Sequence, residues 1–168
     1  MKFKGLLFLT AFLVVCPLAA AQTGDEYVDQ AAKYKLMLVG DWRAVTYNDA
    51  VGRNKTEFVY RDRSEGLLKI AKDNLNGAIA DMIRQEEQNL TISLSGFERA
   101  ASESFTGGSL TGMRFSFYNT RGGRQIANTY YYLQDGNSVW VLRFSGKRGT
   151  LDTIRNVTDQ IARSFRPM

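Results

Sequence analysis

The chain has no histidine among its 168 residues, a single cysteine and two prolines. Each shortage removes a class of chemistry. Without imidazole there is no Ser-His-Asp or Cys-His machinery, no imidazole metal site and no histidine pH switch. The lone Cys16 cannot close an internal disulfide, so stability has to come from the hydrophobic core. No run of about 18 apolar residues is present, which argues against a bilayer-spanning helix in the mature chain. Strong charge is lacking too. Against 17 acidic residues stand 22 basic ones, and setting aside Lys2 and Lys4 leaves 20 against 17, or about +3. A nucleic-acid binder concentrates far more charge on one face. The pairs Gly107-Gly108 and Gly122-Gly123 are not followed by Gly-Lys-Ser/Thr, so neither is a phosphate loop. Carboxylate, Lys, Tyr and Arg chemistry remains, and no specific catalytic motif is built from it.

What is present fits one globular domain: 44% of residues are apolar, 12% aromatic and 23% charged. The chain opens like an export signal. Lys2 and Lys4 make a basic start, residues 6–15 are apolar apart from Thr10, and Ala19-Ala20-Ala21 supplies small residues at the cleavage spacing. A signal peptide over 1–21 with cleavage before Gln22 is expected, leaving 147 residues destined for the periplasm or the extracellular space. The alternative is a lipoprotein anchored at Cys16, since Leu13-Val14-Val15-Cys16 resembles a lipoprotein box with Val15 where a small residue belongs.

Residues 22–33 are polar and read as a leader or a short first helix. Residues 34–168 read as a single domain without repeat, linker or low-complexity tract. Strands are expected over 34–39, 42–47, 57–61 and 67–71, from their aromatic and β-branched content and the turns between them. Leu75, Ala78, Ile79, Met82, Ile83 and Leu90 then fall on one face of a 3.6-residue period, which predicts a helix. Period 2 returns with Met113, Phe115 and Phe117, followed by strands over 124–134 and 138–145 around Gly122-Gly123 and Asp135-Gly136-Asn137. In the last strand Val139 and Val141 face one way, Trp140, Leu142 and Phe144 the other. Bulk on both faces predicts a sheet covered twice. A final helix capped near Thr150, with Leu151, Ile154, Ile161 and Phe165 on one face, supplies one cover.

This order of elements resembles the PsbP-like family, the extrinsic photosystem II protein and its bacterial relatives. The resemblance rests on Tyr34-Lys35-Leu36-Met37-Leu38 followed by Trp42, and on Tyr130-Tyr131-Tyr132-Leu133, Asp135-Gly136, Val139-Trp140-Val141-Leu142, Gly146-Lys147 and Ile161-Ala162-Arg163-Ser164-Phe165. It spans 34–165, and its motifs are packing signatures. It implies an α+β fold, a three-layer α/β/α sandwich around a mainly antiparallel sheet. It further implies a non-enzymatic exported protein that docks to a larger assembly. The photosynthetic member's role is not carried over, because the histidines of its metal contacts have no counterpart here.

Most conspicuous residues have a packing or solvent role. Tyr130, Tyr131 and Tyr132 alternate across a strand and cannot form one stacking surface. Glu86 and Glu87 diverge by about 100° on a helix and read as a solvated face. Asp25, Glu26 and Asp29 lack the spacing of a calcium loop. The triplets at Asn54, Asn89 and Asn156 match the glycosylation pattern by chance. One cluster carries a functional expectation. In an up-down-up meander the turn at 121–123 and the loop at 146–149 lie at the same end, so Arg121, Arg124, Lys147 and Arg148 converge, beside the start of the last helix, whose free N–H groups favour an anion. The expected function is a binding or assembly module of the cell envelope, its partner an unknown envelope protein or an anionic membrane surface. No cofactor, metal or nucleic acid is called for. A hydrolase using two carboxylates in one cleft, or a carrier with an apolar pocket between sheet and helix, are the alternatives.

Overall fold

In the computed structural model, residues 24–52 and 54–168 are described. The expected signal peptide, its cleavage point after Ala21 and Cys16 lie outside them. The elements run β1 (Asp25–Asp29), β2 (Tyr34–Leu38), β3 (Trp42–Asn48), β4 (Asn54–Tyr60), β5 (Gly66–Asn74), α1 (Ile79–Ser93), β6 (Glu98–Gly107), β7 (Leu110–Arg121), β8 (Arg124–Asp135), β9 (Ser138–Lys147), α2 (Arg148–Thr153), α3 (Arg155–Ser164) and β10 (Arg166–Pro167). The main sheet has seven strands in the order β3-β4-β5-β9-β8-β7-β6, and β1, β2 and β10 form a smaller sheet. Neighbouring strands are antiparallel throughout.

The alternation in the second half of the chain sets the layers. Trp140, Leu142, Phe144, Tyr131 and Leu133 face α2 and α3, where Leu151, Ile154, Ile161 and Phe165 close over them with Tyr34 and Leu36 of β2. Val139, Val141, Phe115, Phe117 and Tyr132 face the other way and pack under Ile79 and Ile83 of α1. The sheet is therefore covered on both faces, as its two bulky sides require. One cover is shared between helices and the small sheet. The three tyrosines split as strand geometry dictates, Tyr131 to the α3 side and Tyr130 and Tyr132 to the α1 side.

Several local expectations give way to tertiary contacts. Within 22–33, residues Asp25–Asp29 are a strand paired with β2, and Tyr27 meets the Phe58 ring edge-on at 4.8 Å. Strand β6 carries no apolar alternation that marks it in sequence. It is an edge strand, largely exposed, bulged between Arg99 and Ala101 and held by pairing with β7. Leu75 and Ala78 precede α1, because Gly77 takes φ 100° and Ala78 is extended. The final helix is two helices joined at Ile154, whose φ of −100° and ψ of 20° redirect the chain from β8 and β9 toward β2 and β6. Thr150 donates its hydroxyl to Glu65 instead of capping a helix. The acidic pair on α1 has partners after all: Tyr132 Oη donates to Glu86 at 2.9 Å, and Arg99 pairs with Glu87 at 2.9 Å.

Burial keeps several phenols neutral. It is the leading cause that pushes Tyr131 and Tyr132 far above the ordinary phenol range, and Asp159 and Glu86, which accept their hydroxyl protons, push the same way. Burial raises Tyr34 as well, with Asp29 adding to it. A raised folded value means that this stabilisation is complete below the unfolded value of about 10 and is lost as the pH climbs above it. Denaturant midpoints followed by circular dichroism should accordingly fall steeply above about pH 10. A Tyr132→Phe variant should show a shallower fall, and an unchanged slope would remove that phenol from the account.

Candidate functional site

Helix and strand lengths leave one corner of the sheet bare. Twelve-residue β7 and β8 extend about 40 Å, whereas the fifteen residues of α1 span only about 22 Å. The segment leading into α1 leaves from the β8–β9 turn, where Leu75 N donates to Asn137 O, and the segment leaving it returns at the far end of β7, where Thr120 N donates to Ser95 O. The helix thus crosses diagonally. On the same face, at the β7–β8 turn end, a cavity of about 660 Å³ lies over β5, β9 and β8.

Strand register places its lining. Arg121 stands directly opposite Arg124, Ile126 opposite Lys147, and Leu67 opposite Ser145, all on the α1 side. Gly122 and Gly123 make the arginine pair possible. Both have positive φ, 58° and 76°, the conformation a two-residue hairpin of this twist requires. Like charges facing each other across a hairpin cost stability. Among the described residues neither arginine side chain has a hydrogen bond or ion pair to offset that cost. Leu67 and Ile126, half-buried, form an apolar floor.

The β4–β5 loop closes one side. Gly146 lets it approach, because a side chain there would collide with the Glu65 backbone. Glu65 is the one acidic residue of the lining. It accepts from the Thr150 hydroxyl and lies 3.5 Å from Lys147 Nζ, and these two hold its carboxyl below the usual range. Arg63 adds a fourth cation, paired with Glu57 at 2.7 Å and 5.3 Å from the Tyr47 ring centroid.

Three of the four residues expected to converge do so: Arg121, Arg124 and Lys147. Arg148 does not line the cavity. Neighbouring residues at a strand end point to opposite faces, so Arg148 turns to the other side of the sheet. There its guanidinium sits 3.8 Å from the Tyr118 ring centroid and donates to Gln125 at 2.8 Å, with Asp152 3.7 Å away. The expected helix N-terminus contributes little, because α2 is only six residues long. Arg63, Glu65 and Leu67 were not legible as site residues, since nothing local in a charged turn says which distant strand it will fold over.

A second charged cluster is structural. Arg114 is buried, its guanidinium donating to both carboxylate oxygens of Asp159 at 2.7 and 2.8 Å and to Glu103 at 2.5 Å. Burial works against its charge, yet Asp159 and Glu103 more than offset this and raise its affinity for the proton. Glu103 is held below the ordinary carboxylate range by Arg114, so it is not a poised acid. Among the described residues no three metal-ligating side chains gather, and no helix is long and apolar enough to cross a membrane.

No protein-family profile matches the chain, and no curated protein matches it in sequence. Solved structures do match in shape. The cyanobacterial PsbP protein CyanoP from Synechocystis superposes with a TM-score of 0.63 at 14% identity, over 93% of this chain and 99% of that one. A protein of unknown function, PA94 from Pseudomonas aeruginosa, gives a TM-score of 0.56 at 14% identity, over 86% and 97%. LpqN of Mycobacterium tuberculosis, described as involved in cell envelope biogenesis, gives 0.54 at 14% identity, over 84% and 83%. These superpositions and the antiparallel, doubly covered sheet agree: the chain has the PsbP-like fold.

Proposed function

We propose that the protein is an exported, non-enzymatic binding module of the cell envelope, which holds an acidic group of a larger assembly at the uncovered corner of its sheet. The observation that carries this reading is the convergence of Arg121, Arg124 and Lys147 on one cavity that contains a single carboxylate. With Arg63 paired to Glu57 and Lys147 to Glu65, the side chains of Arg121 and Arg124 remain without an anionic partner among the described residues and make a site for negative charge. The export pattern of residues 1–21 and the fold shared with a protein involved in cell envelope biogenesis support the location. Glu65 has no second carboxylate beside it in the cavity, which favours binding over acid–base chemistry. The apolar pocket between sheet and helix that a carrier would need is not what lies here; this cavity is basic and beyond the helix.

The test is a pull-down from the protein's own envelope fraction, comparing wild type with Arg121→Ser/Arg124→Ser/Lys147→Ser. All three positions are exposed, so the variant should melt within about 0.5 kcal/mol of wild type. Capture should drop by at least tenfold in the variant, and wild-type capture should weaken as added salt shortens the screening length from about 30 Å toward 8 Å. Equal capture by a folded variant overturns the reading.

A further inference from the structure

We infer that the group taken at this corner is a phosphate monoester attached to a small apolar body, with Glu65 as the resident anion that the phosphate displaces from Lys147. The inference rests on the binding function proposed above and assigns its ligand class. Arg121 and Arg124 are opposed across a two-residue turn with no anionic partner among the described residues, and Lys147 stands on the adjoining strand of the same face. Two guanidinium forks and one ammonium offer more donors than the two oxygens of a carboxylate can use. A phosphoryl group with three terminal oxygens and up to two charges can engage all three side chains. The cavity's volume of about 660 Å³ falls within the range of small-molecule sites. Leu67 and Ile126 give an apolar portion of the ligand somewhere to rest beside the cations.

Glu65 already engages part of the cationic cluster. Its carboxylate lies 3.5 Å from Lys147 Nζ while Thr150 donates to its other oxygen. A bound phosphate competes for the same ammonium, so Glu65 sets the affinity. Glu65→Gln removes the competing charge and keeps an acceptor for Thr150.

The experiment is calorimetric titration of the protein with phenyl phosphate, benzoate and inorganic phosphate, together with flotation on vesicles containing phosphatidic acid. Phenyl phosphate should bind at least tenfold more tightly than benzoate, which has the same ring and one charge, and more tightly than inorganic phosphate, which has no ring. Arg121→Ser/Arg124→Ser should weaken phenyl phosphate by at least tenfold, and Glu65→Gln should strengthen it by at least threefold. Equal binding of phenyl phosphate and benzoate, or binding of neither, overturns the phosphate assignment. The binding function itself then stands or falls on the pull-down alone. Flotation on vesicles without binding of phenyl phosphate overturns the small-ligand assignment in favour of a lipid surface. Unchanged affinity in Glu65→Gln overturns the displacement.

Discussion

A chain ending before Leu151 will not unfold cooperatively, because it has no stable fold to lose. Removing 151–168 takes away Leu151, Ile154, Ile161 and Phe165, all buried in the same cluster as Tyr131, Trp140, Leu142 and Phe144. At about 1.5–3 kcal/mol for each large side chain, the loss is roughly 6–12 kcal/mol, as large as the whole stability of a typical domain at about 5–15 kcal/mol. The deletion also unpairs β10 from β2 and removes Ser164, whose hydroxyl accepts from Met37 N at 2.8 Å. One face of the main sheet would then lie open to water. Near-ultraviolet circular dichroism during a thermal ramp is the check. A sigmoidal transition in the truncated chain would mean that the second cover is dispensable and the three-layer account wrong. The single change Phe165→Ala should cost about 3–5 kcal/mol and leave a measurable transition.

Asp159→Ala should be the most damaging single charge removal. It strips Arg114 of a two-oxygen partner and Tyr131 of the carboxylate it donates to at 2.7 Å. Breaking a fully buried ion pair costs about 3–5 kcal/mol, because one charge is left in a poor solvent. Asp159 retains 23% side-chain exposure, so water recovers part of that and the expected loss is about 2–3 kcal/mol. For a domain of this size the melting temperature should fall by roughly 4–12 °C. The double variant Arg114→Met/Asp159→Leu removes both charges and keeps bulk, so it should regain at least half of the loss. A single variant within about 0.5 kcal/mol of wild type would show that Glu103 alone, at 2.5 Å, suffices for Arg114.

The candidate site was partly legible because three of its strands, β7, β8 and β9, follow one another in sequence. Arg121 and Arg124 flank one turn, and Lys147 ends the next strand but one, so counting strand lengths was enough to bring them to one end. Arg148 failed the same count. It follows Lys147 by one residue, and the alternation of side chains that separated Tyr131 from Tyr132 also separated this pair. Arg63, Glu65 and Leu67 reach the site only because β5 pairs with β9, a contact between segments some seventy residues apart.

Local chemistry by itself determined which segments are strands with two apolar faces, where the glycine turns fall, and which catalytic chemistries are impossible without histidine. Those features depend on residues within a few positions of one another, and short-range sterics and hydrophobic periodicity decide them. Tertiary structure decided the rest. Polar stretches such as Asp25–Asp29 and Glu98–Gly107 became strands because each pairs along a strand already in place, which satisfies backbone groups whatever the side chains are. Arg114 became buried because α3 delivers Asp159 to it from 45 residues away. The basic corner exists because α1 crosses the sheet diagonally, from the β8–β9 turn to the far end of β7, and leaves the ends of β5, β9 and β8 uncovered, a mismatch that appears only when helix and sheet are laid together.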